Sequence, residues 1–278
     1  MRILRYSDSS GHIALGRLTD DRTIQPLDIG DSPIGAAAAL HAVPATGSTP
    51  IPLGEVWLLA PIPRPGKFLA LALNFRGHNK EVGAADPEHP IFFNKQTTCV
   101  CGPGDDVVVP AVSQMVDYEG ELGVVIGRVA RHVTAREAMA CVAGYLIVND
   151  VSVRDWQMPS PTTTFGKSFD THGPLGPWLS TADEVDDPMA LTIKTWVNDE
   201  LRQNGTTSDM LFSIAEQIAY ASVACTLEPG DVIATGTPEG VGLSLTPPRW
   251  LRPGDRVRIA IEGLGELENP VVGSDAAH

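Results

Sequence analysis

Glu119-Gly120-Glu121 runs directly into Leu-Gly-Val-Val-Ile126, an apolar stretch of strand length that opens on two carboxylates. No other stretch constrains the fold as tightly. In an extended chain, residues two apart share a face, so both acids sit on one side of a strand whose remainder is apolar. Burying two like charges side by side costs several kcal/mol unless a cation lies between them. Such a chain must build a core strand and hold both acids at its mouth, against a counter-charge or against water.

Other apolar runs of similar length follow at 68–72, 107–109, 145–148 and 232–234, each bounded by Gly, Pro or Asp. The partial alternation at 191–197 and 257–261 is that of half-buried strands. Short strands are expected at 1–6, 12–18 and 23–27, and the Ala-rich segment 34–43 reads as one short helix. Pro61-Ile-Pro-Arg-Pro-Gly66 continues neither a helix nor a central strand. It therefore marks a boundary between a small β-rich N-terminal domain (1–62) and a larger domain (63–278). Thr134-Ala-Arg-Glu137 has the spacing of a capping box. Ser208-Asp209 precedes an apolar stripe at helical spacing, Leu211, Phe212, Ile214, Ala215, Ile218 and Ala219, read as core. The fold class is α+β, dominated by strands.

Composition narrows the functions. With 43% hydrophobic and 19% charged residues in 278, the chain is an ordinary globular one, and disorder throughout is excluded. A net charge of −14 repels phosphate backbones and anionic bilayers, so neither nucleic acid nor a membrane surface is an expected partner. Cys99, Cys101, Cys141 and Cys225 are too few for a disulfide framework, and no second Cys or His pair completes a zinc site. The N-terminal residues lack the apolar core of a signal peptide, and a cytoplasmic location is expected.

A third acid, Asp150, ends the run 145–148. Taken singly, each of these acids is a solvated strand-end residue. Together, three oxygen anions at strand ends suit a hard divalent ion. On a helical turn His78 and Glu81 share a face, so the carboxylate can orient the imidazole for proton abstraction from water; a surface ion pair gives the same spacing. Arg154 and Gln157 share a helical face and can bind a carboxylate, while Lys167 in a Gly-flanked turn can meet an anionic oxygen. Taken alone, each is more often a surface or salt-bridge residue. The loop 235–242, which contains Thr237, is Gly-rich after an apolar strand, with no Walker lysine and no dinucleotide spacing; it is either an anion-facing loop or a plain turn.

These segments, in their order and spacing from residue 66 to about 272, resemble the fumarylacetoacetate hydrolase family. Asp155-Trp-Gln-Met158 and Pro247-Pro-Arg-Trp-Leu-Arg-Pro-Gly-Asp255 are most similar to its subgroup of FAH-domain-containing proteins. The resemblance implies a mixed β-roll with flanking helices, usually a homodimer. It makes Glu119, Glu121 and Asp150 the metal ligands, usually for Mg²⁺ and sometimes for Mn²⁺ or Ca²⁺. It makes His78 and Glu81 a water-activating dyad on a lid, sets Lys167 against a developing enolate, and gives Arg154, Gln157 and Thr237 to the substrate. Where fumarylacetoacetase carries a further aspartate ligand, this chain has Leu71, which implies a more open metal and a smaller 2-oxo acid substrate. The expected activity is metal-dependent hydrolysis of a C–C bond in 2,4-dioxo acids such as acylpyruvates. Two alternatives share the residues: a tautomerase or decarboxylase of oxaloacetate-like acids, and a catalytically silent metal-binding protein.

Overall fold

The computed structural model describes residues 1–275. Its main sheet has twelve strands, running from one edge as Ile51–Pro52, Thr23–Pro26, Ile13–Leu18, Arg2–Ser7, Gly173–Thr181, Val142–Asn149, Gly120–Ile126, Val232–Ala234, Phe68–Ala72 and Ile91–Lys95. Trp57–Leu59 and Val100–Cys101 pair off this path. A second, five-stranded sheet is built from Glu200–Thr206, Thr192–Val197, Arg256–Ile261, Gly265–Gly273 and Val107–Val109. Most pairings are antiparallel, but Val232–Ala234 runs parallel to Phe68–Ala72, so the main sheet is mixed. The α+β, strand-dominated class expected from the sequence is what the chain adopts. Among the described residues no helix is long and apolar enough to cross a membrane.

The continuous apolar runs have a geometric cause. In Gly120–Ile126 all seven residues are buried. Leu122, Val124 and Ile126 pack into one hydrophobic cluster and Val125 into another on the opposite face. Phe68–Ala72 divides in the same way, with Leu69 and Leu71 on one side and Phe68 and Ala70 on the other. A strand covered on both faces needs no polar alternation.

Helices are few and short. Thr134 and Glu137 form the expected capping box ahead of Ala135–Ala138, the Glu137 carboxylate accepting from the Thr134 backbone N–H at 2.9 Å. Two expectations need correction. The segment 34–43 yields only a 3₁₀ turn, Gly35–Ala39. The long helix does not begin after Ser208-Asp209, which lie in a 3₁₀ turn, but at Ile214 after Ser213. Ser213 and Glu216 form a second capping box, so Leu211 and Phe212 precede the helix.

The N-terminal strands extend the main sheet. Arg2 and Ile3 pair with Ser180 and Leu179, and Ile3, Leu15 and Leu27 pack in one cluster with Phe68, Leu146 and Leu175.

Candidate active site

The hairpin-like pairing of Gly120–Ile126 with Val142–Asn149 brings the acids together. Gly120 lies opposite Asn149 and Glu121 opposite Val148, so the start of one strand meets the end of the other. Backbone bonds fix the junction: Asp150 N–H donates to Glu119 O at 2.9 Å, and Glu119 N–H donates to Asn149 Oδ1 at 3.1 Å. Glu119, Glu121 and Asp150 each then offer an oxygen within 4.8 Å of the others, and all three are buried.

Three cations surround them. Lys167 Nζ donates to Glu119 Oε2 at 2.6 Å and to Asp150 Oδ2 at 2.7 Å. Lys95 Nζ donates to Asp150 Oδ1 at 2.6 Å and also to the Lys167 carbonyl. Arg154 pairs with Glu119 Oε1 at 2.7 Å and, through Nε and Nη2, with Asp117 Oδ2 at 3.0 and 2.8 Å. Asp117 is held by the N–H groups of Gly242 and Leu243 from the Gly-rich loop. Fully ionised, the four acids Asp117, Glu119, Glu121 and Asp150 face three buried bases, Lys95, Arg154 and Lys167.

The excess charge falls on Glu121. Its carboxylate is 1% exposed and accepts one bond from Gly236 N–H at 2.8 Å. Among the described residues no basic side chain forms an ion pair with it. Burial, then repulsion from Asp150 and Glu119, holds its carboxyl well above the usual range. Burial pushes Glu119 the same way, but Lys167 and Arg154 overcome it and hold that carboxyl below its ordinary value. A buried acid lacking a cation, with two more acid oxygens within 4.8 Å, fits a hard divalent metal. The donor set is all oxygen and comes from two adjacent strand ends.

Helix Arg76–Glu81 carries the other expected pair. His78 Nδ1 lies 2.8 Å from Glu81 Oε1, and Glu81 Oε2 accepts from Gly240 N–H at 2.9 Å. Asp209 Oδ2 accepts from Gly77 N–H at 2.8 Å, and Asn79 Nδ2 donates to Leu73 O, tying the helix to the chain around its first turn. With Nδ1–H donated to Glu81, the imidazole keeps Nε2 as a base. A cavity of about 90 Å³ is lined by His78, Glu119, Arg154, Gln157, Lys167 and Thr237, with Thr163 beside them and Leu71, Ala72, Leu73 and Phe93 as the apolar wall.

The structure thus gathers the nine candidate residues at one place, though not all with free donors. Arg154 is committed to Asp117, Glu119 and Gln157 Oε1, the last at 2.9 Å. The Thr237 hydroxyl donates to Gly120 O at 3.0 Å and accepts from Gln203 Nε2 at 2.8 Å. These two side chains therefore hold the site's own parts in place. Sequence reasoning missed Lys95, Asp117, Gln203 and Asp209. Asp117 directly precedes the acidic motif and its partner Arg154 was already a candidate, so a charge count over the motif would have suggested it. Lys95 ends a strand, Ile91–Lys95, whose sequence shows no periodic signal.

A strand-dominated mixed-sheet fold whose strand ends meet in a buried cluster of acids, lysines and an arginine defines a class: β-rich enzymes with an acidic centre. Within that class, the chain belongs to the fumarylacetoacetate hydrolase family. The family model for the fumarylacetoacetate (FAA) hydrolase C-terminal region matches residues 67–272. A Burkholderia multivorans protein, provisionally named as a hydrolase, is 44% identical over 275 residues, covering 96% of this chain and 97% of that one. The crystal structure of 5-carboxymethyl-2-hydroxymuconate delta-isomerase from Mycobacterium smegmatis superposes with a TM-score of 0.84 at 37% identity, over 99% of this chain and 100% of that one. Fumarylacetoacetate hydrolase from Exiguobacterium antarcticum gives 0.85 at 34% identity, over 98% and 99%. Hydrolases and isomerases share this fold.

Proposed function

We propose that the protein is a divalent-metal-dependent hydrolase of C–C bonds in small 2,4-dioxo acids of the acylpyruvate or fumarylpyruvate type. The observation that carries this reading is that His78, held by Glu81, lines the same cavity as Glu119 and Lys167. A base for water and groups that stabilise negative charge thereby reach one bound molecule. Bound by Glu119, Glu121 and Asp150, Mg²⁺ (or Mn²⁺ or Ca²⁺) supplies Lewis-acid stabilisation of charge developing on the substrate's 2-oxo oxygen.

The chain's own groups do the rest. Lys167 holds a fixed positive charge at the same point, in a buried setting that strengthens it. Gln157 lines the cavity and orients the acid, Arg154 keeps Glu119 and Gln157 in position, and Thr237 ties the Gly120 carbonyl to Gln203. His78 takes a proton from water at Nε2 as the water adds to C4, and Glu81 stabilises the resulting imidazolium. The C3–C4 bond breaks with its electron pair passing to the fragment bearing the 2-oxo group. That fragment is protonated at C3 and leaves, as pyruvate when the substrate is an acylpyruvate; the other leaves as a carboxylic acid. A cytoplasmic homodimer is part of the same reading, checked by light scattering of the purified protein.

The likeness to an isomerase at 37% identity favours one second reading. Tautomerisation or decarboxylation of oxaloacetate-like acids places charge on the same 2-oxo oxygen but needs no attacking water. Purified protein with Mg²⁺ separates the readings. Pyruvate release from an acylpyruvate identifies a hydrolase; keto product from enol-oxaloacetate without CO₂ identifies a tautomerase; CO₂ identifies a decarboxylase. In the hydrolase, His78→Ala lowers pyruvate release by roughly a hundredfold or more while Mg²⁺-dependent binding of oxalate persists. Undiminished release from that variant would refute the assigned base.

A further inference from the structure

Thr163 has two peculiarities at one position. Its backbone is left-handed, at φ 56°, where a β-branched residue is strained. Its side-chain oxygen is shut off from solvent yet has no hydrogen-bond partner. An unpaired buried hydroxyl is costly, and Thr163 lines the cavity of the candidate active site. Among the five non-glycine residues with positive φ in the described chain, Leu73, at 55°, lines the same cavity. Strain of this kind persists where surrounding structure enforces it, commonly at ligand clamps.

The cavity's other hydroxyl is occupied. Thr237 both donates to Gly120 O and accepts from Gln203. Lys167 and Arg154 are bound to carboxylates. Gln157 keeps its amide nitrogen, but its side chain is only half-buried and water can serve it. Apart from His78, whose Nε2 faces the attacking water in the proposed reaction, and Glu119 of the acidic centre, the remaining wall is Leu71, Ala72, Leu73 and Phe93, with no polar side-chain atom for a ligand. An oxygen held away from the acidic centre would be stripped of water against that wall, with the Thr163 hydroxyl as the partner cut off from solvent.

Resting on the function proposed above, we infer that Thr163 is a specificity-determining residue that donates a hydrogen bond to the substrate's distal oxygen, the 4-oxo group of a 2,4-dioxo acid. The cavity of about 90 Å³ is far smaller than the usual several hundred Å³ of ligand pockets. A short acid suits it. A site built to bond a substrate oxygen rejects the analogue that lacks it, because its own polar group is then left unpaired.

The test uses the full chain with His78→Ala to prevent turnover, titrated calorimetrically in Mg²⁺ with 2,4-dioxopentanoate and with 2-oxopentanoate. The dioxo acid is expected to bind roughly three- to tenfold more tightly. Adding Thr163→Ala brings that ratio to about one, and Thr163→Ser restores it. A ratio unchanged by Thr163→Ala, with both acids binding, overturns the Thr163 assignment and leaves the proposed function standing. Failure of both acids to bind the His78→Ala protein overturns the proposed function and this assignment with it.

Discussion

Glu121 concentrates the centre's electrostatics in one side chain. Its carboxyl is raised by burial and by two neighbouring acids, with one backbone N–H as its partner. Glu121→Gln keeps the shape and the acceptor but removes the charge. The metal-free variant is expected to melt about 2–6 °C above the parent, and added Mg²⁺ should no longer raise its melting temperature. A lower melting temperature with the Mg²⁺ effect intact would show that Glu121 is no ligand. His172 makes a separate prediction. Buried, with Nε2 donating to Val108 O at 2.8 Å, its imidazole is held down to about 4 from 6.5 by loss of solvation. The unfolded chain therefore takes up this proton first as the medium is acidified. The stability it contributes is complete above pH 6.5 and falls away toward pH 4, by about 3 kcal/mol in all. Urea unfolding at roughly pH 7.5 and 5 measures the slope, and His172→Gln should flatten it. An equal slope in that variant would assign the effect to other groups. At this scale the sequence disclosed residues with motif neighbours, Glu119, Glu121, His78 and Glu81. It hid Lys95, whose role comes from a partner 55 positions away.

Strands with β-branched, uninterrupted runs were legible, and 68–72 and 232–234 coincide with their observed bounds. Gly173–Thr181 was not. It holds Pro174 and Pro177 and two glycines, the composition of a turn, yet lies inside the main sheet. Its ladder with Val142–Asn149 shifts register between Tyr145 and Ile147, and that irregularity accommodates residues a regular strand would refuse. The strand's neighbours also impose a demand on composition. A Cβ on Gly144 would stand 2.0 Å from the Ser180 carbonyl. Gly144→Ala must push the two strands apart, at an expected cost of about 3 kcal/mol, readable as a lower urea midpoint. An unchanged midpoint would mean the strands are not paired in this register. The displaced helix start teaches the same lesson in reverse. Apolar periodicity extended back to Leu211, but Ser213 and Glu216 satisfy the free N–H groups, and capping chemistry sets the boundary.

For the whole molecule, the Pro-rich stretch 61–66 lies just ahead of the family match, which begins at residue 67. What composition did not reveal is that residues on either side share one sheet and one hydrophobic cluster, through Arg2–Ser180 and Ile3 against Leu175. Such pairing joins positions too far apart for any local pattern to report. A chain beginning at residue 61 would bare the Gly173–Thr181 ladder edge and the apolar side chains under it. It is expected to aggregate on expression, and a soluble truncated protein with an unaltered melting temperature would refute that. The same pairing sets a timetable for synthesis. Arg2–Ser7 leaves the ribosome well before its partner, since Ser180 emerges only after roughly 10–40 s of further elongation. Until then this strand can form only its local pairings, with Ile13–Leu18 and Trp57–Leu59. An early strand waits for a late arrival, so the tempo of translation and the chaperones that guard an open edge bear on the yield of this protein.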